Sequence, residues 1–87
     1  MKNIITEIQE AIKSQIEVKS IQDVKYSNIF YVISVYFELN ESNKEQFNKL
    51  VPEIKEIAEN NNHILSFKKE KDLFNEEFLE IHVKNKF

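Results

Sequence analysis

Glycine is absent from the sequence, and its loss removes several chemistries at once. The phosphate-cradling loop, the dinucleotide fingerprint and the serine nucleophile elbow each need backbone that only glycine adopts freely. Cysteine is absent too, which excludes disulfides, cysteine-based zinc sites and thiol catalysis. Arginine is a third missing residue: all 12 basic side chains are lysines, set against 15 acids for a net charge of −3. Lysine is a point charge without the planar fork that reads guanine or clamps phosphate. A nucleic-acid partner is therefore disfavoured. No apolar run approaches the ~18 residues that a membrane-spanning helix requires. The N-terminus, Met1-Lys2-Asn3-Ile4-Ile5-Thr6-Glu7, brings in an acid too soon for a signal peptide, so a cytoplasmic location is expected. Proline occurs once, at Pro52, and only three residues in all are glycine, alanine, arginine or proline. Together with the richness in Lys, Asn, Ile and Phe, that scarcity has the character of an AT-rich genome.

What remains is 87 residues with 41% hydrophobic and 31% charged side chains, enough for one domain with a single core. Its centre is the stretch Ile29–Leu39, I-F-Y-V-I-S-V-Y-F-E-L. β-Branched and aromatic residues dominate it, the composition of a buried strand. Ile29, Tyr31, Ile33, Val35, Phe37 and Leu39 form an unbroken apolar row at period 2. Phe30, Val32, Ser34, Tyr36 and Glu38 make the other face, which is less apolar but far from a solvated pattern.

Helical spacing governs residues 3–17, with Ile4, Ile5, Ile8, Ala11, Ile12 and Ile16 on one side and Asn3 as N-cap. Residues 20–27 alternate as a strand, and Ser27-Asn28 predicts a hairpin turn, asparagine replacing glycine where φ is positive. Ser42-Asn43-Lys44-Glu45 has the form of a capping box for a second helix. Its stripe is Phe47, Leu50, Val51, Ile54, Ile57 and Ala58, with a kink or restart expected at Pro52. Asn60-Asn61-Asn62 ends it. Strands follow at about 63–69 and 77–84, joined by a polar turn near Asp72–Asn75. In the last strand Leu79, Ile81 and Val83 alternate with Phe78, Glu80, His82 and Lys84.

The order is αββαββ. Sliding the chain by 46 residues lays Glu7-Ile8 on Glu53-Ile54, and Ile33, Val35 and Phe37 on Leu79, Ile81 and Val83. The expected fold is α+β: a four-stranded antiparallel sheet with both helices on one face, built from two αββ units, 3–39 and 42–84.

That architecture leaves one sheet face without helices, and Phe30, Val32, Tyr36 and Phe78 are the candidate partner-binding residues on it. The alternative is that a loop or the C-terminal Phe87 covers them. Glu7, Glu10, Glu17, Glu45, Glu53, Glu56 and Glu59 form acidic ridges on the helices, but Lys13, Lys49 and Lys55 interleave with them as on an ordinary solvated surface. His63 and His82 lack metal-ligand spacing and have no triad partners, so neither metal, cofactor nor catalysis is expected. Lys68, Lys69 and Lys71 are offset by Glu70, Asp72, Glu76 and Glu77 and suit a guarded sheet edge. The expectation is a small non-enzymatic protein that occupies a surface of another protein, by analogy with immunity proteins, antitoxins and phage-encoded inhibitors of host defence. A homodimer joined through the sheet face is the second reading. Single-stranded nucleic-acid binding by Phe30 and Tyr36 is the third.

Overall fold

A computed structural model describes residues 3–28 and 30–85. The order of elements is α1 (Ile4–Gln15), β1 (Ser20–Ser27), β2 (Phe30–Tyr36), α2 (Glu41–Asn60), β3 (His63–Lys71) and β4 (Glu77–Asn85). The strands form one antiparallel sheet in the order β1-β2-β4-β3, so β2 and β4 are central and β1 and β3 are edges. This is the α+β fold expected from the sequence. Ile29 and Phe87, named above as a core residue and a possible cover, lie outside the described residues.

Each helix begins on an asparagine whose side chain accepts a backbone N–H. Asn3 accepts from Thr6, and Asn40 from Asn43, both at 2.8 Å. The second cap corrects the sequence reading, which placed the start at Ser42. Both residues suit a cap, but Asn40 has the extended backbone an N-cap needs, and the Asn43 side-chain amide fixes the approach by donating to the Glu38 carbonyl at 2.7 Å. Pro52 does not restart the helix, which runs through it from Glu41 to Asn60. Pro52 lies on the exposed side of α2, where the Asn48 carbonyl it leaves without a helical donor can turn to water. At the C-terminus Asn62 has φ 59°, and Asn75 in the β3–β4 turn has φ 63°. Asparagine thus takes the left-handed positions that glycine would otherwise fill. Among the described residues the positive angles fall there, and not at Asn28 where one was expected; β1 instead shifts register between Lys25 and Ser27 as it enters its turn.

The core lies between the helix pair and the odd-numbered face of the central strands. Ile33, Val35, Leu79, Ile81 and Val83 pack there with Ile5, Ile8, Ile12, Leu50 and Ile54. Burying a side chain of this size contributes roughly 1.5–3 kcal/mol of transfer free energy. β2 ends at Tyr36, short of Leu39 as read from the sequence. Phe37 is nonetheless buried, stacking on Phe47 with ring centroids 6.0 Å apart.

The two hairpins share one register. Each β1–β2 pair from Ser20↔Tyr36 to Lys25↔Tyr31, before the register shift, becomes a β3–β4 pair when both strands are advanced by 46 residues: Ser20↔Tyr36 becomes Ser66↔His82, and Asp23↔Ile33 becomes Lys69↔Leu79. The offset is the one at which the sequence halves align. It also carries Ile8 of α1 onto Ile54 of α2, both fully buried.

Candidate partner-binding surface

Directly opposed residues in an antiparallel sheet share a face. The helix-free face therefore carries Gln22 and Val24 of β1, Phe30, Val32, Ser34 and Tyr36 of β2, Phe78, Glu80, His82 and Lys84 of β4, and Ile64, Ser66 and Lys68 of β3. The four residues singled out in the sequence do lie on it, but they do not form one patch. Tyr36 and Phe78 stack at one end, centroids 4.7 Å apart and planes 18° apart. At the other end Phe30 stacks on Tyr26 and tilts against His82, each at 5.5 Å, with the Lys84 ammonium 5.3 Å from its ring. Polar side chains separate the two ends: Ser34 faces Glu80, and Glu80 Oε1 lies 3.0 Å from His82 Nε2.

Val32 is only 6% exposed, although no helix covers it and it stands apart from the main core cluster. Val24 and His82 are its cross-strand neighbours and enclose it. Val32 thus fills the space between neighbours that reach the surface more fully than it does.

The largest exposed apolar side chains lie where the sequence reading placed a polar turn. Leu73 is 101% exposed and Phe74 89%. Their turn is held from below by Asp72. Asp72 Oδ1 accepts the N–H groups of Phe74 and Glu76, both at 2.9 Å, while its backbone bonds Glu76 O and Asn75 N at 3.0 Å. Asn75 closes the turn with its left-handed backbone. Asp72 and Asn75 on either side give the segment the composition of a polar turn, and periodicity does not mark the apolar pair between them.

This turn is linked to the Tyr36–Phe78 end of the open face. The carboxylates of Asp72 and Glu76 lie close enough to act on the Tyr36 phenol, and Lys19 Nζ, just before β1, lies 3.3 Å from Glu76 Oε1. Partial removal from water, and then the carboxylates of Asp72 and Glu76, push the Tyr36 phenol above its usual value of 10.0.

Elsewhere the surface offers shallow clefts without convergent chemistry. One of about 220 Å³ lies among Phe37, Leu39, Phe47, Lys69 and Leu79; an open groove between the helices is edged by Glu7, Glu10 and Glu53. Gln15 spans that groove, donating from Nε2 to Glu53 at 2.8 Å. His63 stands by the Asn61 carbonyl, away from His82 and its Glu80. Among the described residues no three His, Cys, Asp or Glu side chains are placed to hold a metal, and no helix is long and apolar enough to cross a membrane.

No protein-family model and no curated protein matches the chain.

Proposed function

We propose that the chain is a non-enzymatic protein-binding module that docks through the Asp72–Glu76 hairpin tip and the adjoining Tyr36–Phe78 end of the sheet. The single observation behind this reading is the near-complete exposure of Leu73 and Phe74 on a turn that four hydrogen bonds through Asp72 hold in shape. Two adjacent large apolar side chains on a preorganised turn lose little conformational entropy on binding, which favours a compact anchor. The complementary surface is an apolar pocket with a basic rim, because Asp72, Glu76 and Glu77 flank the pair. Inhibitors, immunity proteins and anti-defence proteins act by filling such a surface of a target, and the small acidic chain suits that class.

Base stacking at Tyr36 is disfavoured by the same carboxylates, which would repel a phosphate backbone. The test is affinity capture from an extract of the source cell with wild type, Leu73→Lys/Phe74→Lys and Tyr36→Lys. A protein held by wild type and lost from the tip variant supports the proposal. A protein held equally by both, or nothing held by wild type, overturns it.

A further inference from the structure

We propose that β1 pairs antiparallel with β1 of a second copy, centred on Val24, to make a continuous eight-stranded sheet. β1 is an edge strand whose residues from Gln22 to Ser27 are all exposed, on both faces. Val24 is 48% exposed on the helix-free face, and Ile21 is the residue of β1 that packs against the core cluster. An eight-residue edge without proline is a template for another strand unless its side chains forbid the pairing.

The side chains of β1 select one partner and one register. With Val24 on the two-fold axis, Asp23 of each copy stands directly opposite Lys25 of the other, giving two opposed ion pairs on one face. On the other face Val24 meets Val24, and Gln22 meets Tyr26. Moving the centre to Asp23 sets two aspartates against each other, and moving it to Lys25 sets two lysines together. Centres between residues place odd positions opposite even ones and mix the two faces. Only the Val24 register keeps the helices of both copies on one side and pairs opposite charges.

The other edge supplies the contrast. At the shared offset, Asp23 and Lys25 of β1 correspond to Lys69 and Lys71 of β3. The same two-fold pairing of β3 about Glu70 would place Lys69 against Lys71, so like charges oppose each other. One edge of the sheet is guarded against its own copy, and the other is complementary to it. This inference uses no residue of the hairpin tip and stands or falls separately from the proposed partner docking.

The experiment is mass in solution by light scattering across concentration, for wild type and charge variants whose fold is checked by circular dichroism. Wild type should rise from the 10.4 kDa monomer to twice that mass. Asp23→Lys and Lys25→Asp should each remain monomeric, and the double exchange Asp23→Lys/Lys25→Asp should restore the dimer. Because the chain has no cysteine, Val24→Cys gives a direct reading of register. Two such residues on the axis meet at disulfide distance, so mild oxidation should link wild-type-like dimers covalently. A monomer up to about 1 mM together with an unlinked Val24→Cys variant would overturn the proposal. So would a dimer indifferent to the charge exchange, which would place the contact on the sheet face. A mass climbing past two copies points to β1 meeting β3 of the next molecule, and equally overturns it.

Discussion

The two hairpins have the same strand register and opposite surroundings. β3–β4 ends in a turn fixed by Asp72 that holds Leu73 and Phe74 in solvent, and its edge strand carries Lys68, Lys69 and Lys71. β1–β2 slips register between Lys25 and Ser27, and its edge strand alternates Asp23 with Lys25. Register is thus set by what both hairpins share, the buried row that faces the helices, while turn and edge chemistry are free to diverge. The hairpins meet at the β2–β4 seam, where Ile33 lies opposite Ile81 and both are fully buried. The most severe test of that shared frame is a charge at the seam. Ile33→Asp should abolish the cooperative melt, because an unpaired buried carboxylate costs several kcal/mol against a total stability of about 5–10 kcal/mol. Ile81→Asp should do the same. A cooperative melt near wild type for either would show that the odd-numbered face is not the core.

Below that in size comes truncation at equivalent positions. Ile8 of α1 and Ile54 of α2 are related by the shared offset, and each is fully buried. Ile8→Ala and Ile54→Ala should each cost about 2–5 kcal/mol in denaturant unfolding. If the halves bury their helices alike, the two losses should agree closely. A large excess at Ile54 would mean that α2, the longer helix, carries the core alone.

Much of this frame was legible in residue patterns. The helical stripes and the odd-numbered row carry the α+β order, and the asparagine run at 60–62 marks the left-handed end of α2 at Asn62, whereas the hairpin asparagine with positive φ is Asn75 rather than the expected Asn28. Three features were not legible, each for a physical reason. Val32 alternates as a surface residue should, but its burial comes from Val24 and His82 on other strands, which one strand's pattern does not encode. Asn40 and Ser42 suit a cap equally, and backbone geometry decides between them. Leu73 and Phe74 stand between Asp72 and Asn75, turn residues that give the segment a polar character. Periodicity locates apolar residues that go inward, and has no means of marking a pair held outward.

The tip should matter little to folding, in contrast with the seam. Leu73→Lys and Phe74→Lys remove no core contact and should shift stability by no more than about 0.5 kcal/mol. Asp72→Ala should cost more, about 1 kcal/mol, since it strips the acceptor from two turn N–H groups. Equilibrium unfolding of the three variants orders them. A tip variant that destabilises more than Asp72→Ala would place Leu73 or Phe74 in the fold's own packing, and the docking proposal would lose its basis.

The smallest expected effect is an alkaline one, and it reports the link between the tip and the open face. Tyr36 is raised above its ordinary value of 10.0, first by loss of solvent and then by the carboxylates of Asp72 and Glu76. The folded protein therefore holds the phenol proton where the unfolded chain has released it. Stability from this difference is complete below pH 10 and is lost as pH rises through the folded value. Lys68, raised from 10.5 chiefly by its hydrogen bond to Glu70, changes in the same direction. It is present in both proteins if wild type is compared with Tyr36→Phe, so its contribution cancels in the difference. Phenylalanine keeps the stacking on Phe78 but has no proton to lose. Denaturant unfolding from pH about 8 to 11 should show wild type losing stability more steeply than Tyr36→Phe above pH 10. Asp72→Asn should flatten the wild-type curve in part, because it removes the carboxylate that acts most strongly on the phenol and leaves the desolvation in place. Parallel curves for all three proteins would mean that Tyr36 does not feel the Asp72 turn, and that the tip and the sheet face are separate surfaces.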